Sequence, residues 1–386
     1  MKSTFSHAAA FCASIILSVA SVAFAQEAES PCPFLDDEII LYFSPSTFAD
    51  VPAVQNAWNL PEAKEASDAL FAKADSEIAK GVENVGEPLA SKYNYFKSVV
   101  CDYAGTDSFT RACFESYFKC VDGVIIGFDS PEDCNDGAKA LQQGLTLTYV
   151  FNENPGAIEP RKFFSEADGV VTIYKETETE VVGKLLVKDG DEVKGELFYG
   201  GAKVKDMDKC VVVLAGTKEG VEKKIERFQN TNAFITKRQD AGLLYADLIF
   251  KEKFFQKAVE AVKAKSENDE QAKAVVDALS KTKSFKLTAN GTESGVCYAA
   301  TVETTDAETA QTFADLLAGG IAVAKIQAKN NDNLDERQKF ALDVLTKAEV
   351  SHEKGSCSLT CSLNVDSEVI ATCAKAVCSE IKKNCK

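Results

Sequence analysis

Four times along this chain a β-type run ends in a short polar turn that carries a capping residue and an acid, and an amphipathic helical pattern follows. The first copy is 123–128, then Asp129-Ser130-Pro131-Glu132, then a helix through Leu145. The second is 210–215, then Gly216-Thr217-Lys218-Glu219, then a helix to Phe228. The third is 297–302, then Thr305-Asp306-Ala307-Glu308, then a helix through Leu317. The fourth is 357–363, then Asp366-Ser367-Glu368, then a helix to the C-terminus. At each junction a Ser, Thr or Asp oxygen can accept from the free N–H groups of the first helical turn, and the acid complements the positive end of the helix dipole. Pro131 follows Ser130 at a first helical position, and Thr305 with Glu308 has capping-box spacing.

The strand patterns say what kind of sheet these units build. Cys357, Leu359, Cys361, Leu363 and Val365 alternate with Ser358, Thr360, Ser362 and Asn364. That period of two describes a sheet with one face on the core and one face wet. Asp189-Gly190 lies between strand runs at 182–187 and 195–199, and Asn290-Gly291 between runs at 284–289 and 296–302. Both read as hairpin turns. Helical patterns occupy 62–83, 109–120, 254–265, 270–279 and 335–348. Antiparallel hairpins mixed with helices predict an α+β fold rather than a doubly wound parallel sheet. The chain reads as two loosely similar modules of antiparallel sheet packed with helices, each entered by a strand (39–43 and 245–250). The expected boundaries are 26–165 for the first module, 166–200 for a β-hairpin connector and 201–386 for the second module.

Residues 1–25 read as a secretory signal peptide, with Lys2, an apolar run from Ala8 to Val19, and Ala23-Phe24-Ala25 as the small-x-small cleavage pattern. Export to a periplasmic or extracellular location is therefore expected. No later run offers about 18 consecutive apolar residues, so no membrane span is expected after cleavage. Of 13 cysteines and 2 histidines, cleavage removes Cys12 and His7. In an oxidising compartment the default use of the remaining even number of cysteines is disulfides. The candidates are Cys101, Cys113, Cys120 and Cys134 in one cluster and Cys357, Cys361, Cys373 and Cys378 in another. Cys113 and Cys120 lie about 10 Å apart on one helix and cannot bond each other. A helix folding back over the 357–363 strand would nest Cys361 with Cys373 and Cys357 with Cys378.

The order of elements, an apolar strand near the mature N-terminus, then acidic helices, then late strand-turn-helix copies, resembles uncharacterised exported proteins of planctomycete- or Lentisphaerae-type bacteria. That resemblance covers most of the chain and implies no functional residue.

The formal net charge of −16 belongs mostly to the first module: residues 26–160 hold 23 acids against 8 bases. This argues against nucleic acid as a partner. The asymmetry is read as a solvated acidic face, with cation binding by this module as an alternative. Asp129 to Gly137 comes nearest a calcium loop, but Pro131 breaks the pattern. No Cys-x-x-Cys, Gly-x-Ser-x-Gly, Walker A or Gly-x-Gly-x-x-Gly occurs, so zinc, thiol-redox and nucleotide cofactors are not expected. His352 reads as an exposed loop residue and the single Trp58 as core. Asn290-Gly291-Thr292 matches a glycosylation sequon but is read as a turn. With no catalytic residue, cofactor site or metal site singled out, the expected function is a non-enzymatic, disulfide-reinforced binding or envelope-associated role with a protein or envelope partner. A glycosidase-like hydrolase using paired carboxylates is the alternative from another class.

Overall fold

The computed structural model describes residues 39–83, 87–128, 143–152, 171–189, 192–232, 235, 242–249, 280–330, 342 and 344–385. Among them one antiparallel sheet of twelve strands is packed with helices, an α+β fold. The strands are β1 (Ile39–Phe43), β2 (Val121–Phe128), β3 (Leu145–Phe151), β4 (Val171–Glu176), β5 (Glu180–Asp189), β6 (Glu192–Lys203), β7 (Cys210–Ala215), β8 (Leu244–Ile249), β9 (Thr282–Thr292), β10 (Gly295–Thr304), β11 (Glu349–His352) and β12 (Ser358–Asp366). The helices are α1 (Pro45–Ala49), α2 (Pro52–Trp58), α3 (Pro61–Glu83), α4 (Glu87–Ala104), α5 (Phe109–Cys120), α6 (Lys218–Asn230), α7 (Ala307–Asn330) and α8 (Ser367–Asn384).

The spatial order is β11-β12-β10-β9-β8-β1-β2-β3-β7-β6-β5-β4. The strands drawn from 26–165 and from 201–386 therefore share one sheet, joined where β1 pairs with β8 from Ile39↔Leu248 to Phe43↔Leu244. Its edges resist further pairing in two ways: β11 is only four residues long, and β4 carries an irregularity between Ile173 and Lys175 and ends in Lys175-Glu176.

Successive residues of a strand face opposite sides, and two rows of registered residues show what each side buries. On one face Leu41, Ala246, Leu287, Ala300, Cys361 and Val350 line up across six strands. They belong to the cluster capped by Ala310, Phe313, Ala314, Leu317 and Ile321 of α7. On the other face Tyr245, Tyr42, Ile125, Thr148, Val213, Gly200 and Val182 line up across seven strands. Val221, Ile225 and Phe228 of α6 close over that row. Gly200 is required there, because an added Cβ would fall 2.2 Å from Ile225 Cδ1 and 2.6 Å from Val221 Cγ1.

The strand-to-helix junctions are built as local chemistry dictates. Thr217 caps α6 by accepting from Gly220 N at 3.1 Å, and Asp366 caps α8 by accepting from Val369 N at 2.9 Å. At α7 the capping atom is Asp306 Oδ1, which accepts from Thr309 N at 2.8 Å. This corrects the Thr305–Glu308 capping box by one residue, and α7 runs on well past Leu317 to Asn330. In the first unit β2 is present, while its turn, the Asp129–Gly137 stretch and the expected helix up to residue 142 lie outside the described residues; that helix does not run through Leu145, which begins β3. So do the helical patterns at 254–265 and 270–279, and most of 335–348.

The second hairpin also differs from expectation. Asn290 and Gly291 are paired within the β9–β10 ladder, opposite Cys297 and Val296, and the reversal falls at Glu293-Ser294. Gly295 makes that position possible. A Cβ there would lie 2.0 Å from the Val365 carbonyl oxygen of β12, so only glycine lets the turn close against the neighbouring strand.

Candidate functional site

Among the described residues, the exposed aromatic residues of the stretch before β2 lie on α2 and α4. Phe43 of β1 contacts Phe48 of α1 at 5.7 Å between ring centroids, and Phe48 contacts Phe118 of α5 at 6.4 Å. Phe118 lies 4.8 Å from Phe114, and Trp58 stacks on Phe114 at 5.2 Å with 15° between the planes. An unbroken path of rings thus runs from the sheet to the surface, where Trp58 is 48% exposed. This corrects the core reading of Trp58. Ala53 and Ala57 supply the buried face of α2, and Trp58, one residue after Ala57, is turned away from it. Beside the stack, Arg111 places its guanidinium 5.1 Å from the Phe71 ring and pairs with Asp68. Tyr95 and Tyr103 of α4 and Leu70 of α3 are also well exposed.

The layer is locked by Asp75 of α3, which reaches across to the start of α5. Asp75 accepts from the Ser108 hydroxyl at 2.7 Å, from Thr110 N at 2.8 Å and from the Thr110 hydroxyl at 2.6 Å. Burial raises the Asp75 pKa, but these hydrogen bonds together outweigh it and hold the carboxyl below the ordinary carboxylate range. A depressed folded-state pKa gives stability that is complete above the ordinary carboxylate value and lost as pH falls through the folded value. Asp75→Asn keeps an acceptor but loses the charge, and should therefore cost about 1 kcal/mol at neutral pH, the difference between hydrogen bonds to a charged and to a neutral group. The difference from wild type should shrink as melting is followed below about pH 4. A difference that stays constant down to pH 2 would refute this role for the charge.

Other displaced carboxyls follow the same rule. Asp306 and Asp366 are lowered first by backbone hydrogen bonds from Thr309 and Val369, and Glu77 by its hydrogen bond from Lys80. Each is a capping or surface carboxylate, not a group held protonated for acid catalysis. Two contacts tie α8 to α3: Lys382 of α8 pairs with Glu65 of α3, and Lys73 of α3 donates to the Asn384 carbonyl at 2.6 Å. Among the described residues no group of three or more His, Cys, Asp or Glu forms a metal-binding cluster.

The candidate cysteines are distributed differently from the nested pattern. None of the ten described cysteines is joined in a disulfide, and Cys134 lies outside the described residues. Cys361 points into the core under α7, whereas Cys373 is exposed on α8. Cys378 is buried with Ala63 and Ala66 of α3, whereas Cys357 is exposed just before β12. The pairs Cys361–Cys373 and Cys357–Cys378 are therefore not made. The reason is that α8 lays its buried face on α2 and α3 instead of folding back along β12. In the other cluster, Cys101 and Cys113 sit half-buried on α4 and α5, and Cys120 contacts the Tyr103 hydroxyl at 3.1 Å. Burial pushes the Cys361 thiol up and raises the Cys210 thiol to about 11. His352 ends β11 rather than lying in a loop, and its Nε2 is 3.0 Å from the Ser356 carbonyl oxygen.

Two features of this region were beyond the reach of sequence patterns. The Trp58–Phe114 stack joins residues from different helices, and Asp75 caps a helix 35 residues away. The abundance of Phe in 109–118 (Phe109, Phe114, Phe118) was the one visible signal.

No family model matches the chain, and no curated protein matches it. Among solved structures the chain is similar to crystal form III of TP0453, at 11% identity and a TM-score of 0.36 over 91% of this chain and 100% of that one. It is also similar to crystal form IV of TP0453, at 9% identity and a TM-score of 0.37 over 90% of this chain and 97% of that one. Likenesses this distant carry no argument about what the chain does.

Proposed function

We propose that this chain is an exported, non-enzymatic, envelope-associated binding protein that meets a protein partner through the aromatic ledge at Trp58. The observation that supports this reading is the Trp58–Phe114 stack. A tryptophan left 48% exposed on a rigid ring path is a large, pre-organised apolar contact. Such residues dominate the energetics of protein interfaces. The neighbouring Arg111 and Asp68 supply the polar surround that an interface rim needs. The acidic surface of the same module suits a partner with a basic rim, because charge complementarity speeds encounter.

Trp58 is the only tryptophan of the chain, so its fluorescence reports on the ledge alone. Titrating the purified protein with a solubilised envelope fraction of its source cell, with the same titration of Trp58→Phe subtracted to remove the fraction's own emission, should move the Trp58 emission to shorter wavelength. Trp58→Ala should weaken retention of the captured protein about tenfold or more. Undiminished capture by Trp58→Ala, with no emission change in the wild type, would place any partner elsewhere and overturn the reading.

A further inference from the structure

We infer that Cys101 of α4 and Cys113 of α5 form a disulfide that ties these two helices together once the protein meets a thiol–disulfide oxidant. The placement carries this. The α4–α5 contact is marked by Phe109, whose ring lies 5.2 Å from Tyr93 and 5.7 Å from Phe96 between centroids. Cys113 is one helical turn beyond Phe109, on the same face of α5. Cys101 is about two turns beyond Tyr93 and about 80° round α4 from it, at the flank of the contact face. The two thiols thus face each other at the edge of the α4–α5 contact, near enough for the charge of one to act on the other. Both remain partly accessible, so a small oxidant can reach them.

The electrostatics agree with the placement. Burial raises the Cys113 pKa most, and the next contribution is the charge of Cys101. Tyr93, raised first by its own burial, feels Asp75 and then both sulfurs. Burial also raises Cys101, where Lys97 acts in the opposite direction while Asp75, Asp107 and Asp102 act with burial. Either thiol can open the exchange, here Cys101. Its thiolate attacks one sulfur of a disulfide such as oxidised glutathione and displaces one glutathione thiolate. The Cys113 thiolate then attacks the Cys101 sulfur and displaces the second. One S–S bond is made in the protein and one is broken in the oxidant. Two protons and two electrons leave the cysteines for the two glutathiones. The competing pairing within α5 is closed, because Cys113 and Cys120 are two helical turns apart, about 10 Å.

The export reading supplies the oxidising compartment, but the chemistry does not depend on it, so the test is done in solution. The full chain is incubated with oxidised glutathione, alkylated without reduction and digested with trypsin. Cleavage after Lys97, Arg111 and Lys119 puts Cys101, Cys113 and Cys120 on separate peptides. The expected product joins 98–111 to 112–119 and falls apart on reduction. The oxidised protein should melt about 5 °C or more above the reduced one. That difference should vanish in Cys101→Ser and in Cys113→Ala, whatever each substitution does to the reduced protein. Recovery of Cys101 and Cys113 as separate alkylated or glutathionylated peptides, or linked to other cysteines, would overturn the pairing. A linked pair in solution with reduced thiols in the protein isolated from cells would uphold the pairing and count against export.

Discussion

Replacing Phe228 with alanine should lower the free energy of unfolding by about 3–5 kcal/mol, the range for removing a fully buried aromatic side chain. Phe228 is 0% exposed and is packed with Val204, Val211, Val221 and Ile225 on the face of the sheet covered by α6. The cost depends on how far the neighbours can collapse into the space left behind. Here α6 has little room to settle. It already sits at contact distance on β6 because Gly200 presents no Cβ. Its C-terminal turn is also fixed, since Lys205 N donates to the Phe228 carbonyl at 3.0 Å and Thr231 N to the Arg227 carbonyl at 2.8 Å. The cavity should therefore persist, and the loss should fall at the upper end of the range. Urea unfolding followed by far-UV circular dichroism measures it. A midpoint shift with unchanged slope amounting to less than about 1.5 kcal/mol would mean that the helix relaxes onto the sheet after all.

What the sequence shows of this fold follows the distance over which each feature is determined. The alternation from Cys357 to Val365 identifies β12 because each residue's side depends only on its own position in the strand, and Leu359 and Cys361 do face the core. The caps Thr217 and Asp366 are legible for the same reason, since each bonds a backbone N–H three residues on. At Thr305-Asp306 two adjacent residues could both cap, and local pattern does not choose between them. Asn290-Gly291 is a good turn sequence, yet the ladder continues through it, because pairing with β10 and the close approach of Gly295 to β12 decide where the chain reverses. The joining of β1 to β8 brings together strands some two hundred residues apart. It leaves no local mark in either strand. The same holds for the site. The burial of Cys361, the exposure of Trp58 and the cap supplied by Asp75 are each set by which helix lands on which face.

The second large effect is expected at Lys209. Asp122 occupies the irregularity in β2 where Val121 pairs with Phe151 and Gly123 with Val150. The extra residue breaks the alternation, so Val121, Asp122 and Gly123 are all buried in succession. A carboxylate placed there needs a cation. Lys209, just before β7, provides it, donating to Asp122 Oδ2 at 2.6 Å and to Asn152 Oδ1 at 3.2 Å. Their side chains are only 12% and 8% exposed. Lys209→Met removes the cation and leaves the carboxylate in place, which should cost about 3–5 kcal/mol. Asp122→Asn alone should also destabilise, by leaving the ammonium facing a neutral amide. The double variant should recover part of the loss, since neither charge then remains buried without its counterpart. A double-mutant cycle by urea unfolding would give a coupling of about 1 kcal/mol or more, little changed by 1 M salt because the pair is shielded from solvent. Additive single effects would show that Lys209 acts through its packing alone. Coupling that disappears in salt would show that water reaches the pair. The cycle thus separates an ion pair that holds the β2, β3 and β7 ends together from a lysine stem that merely covers them.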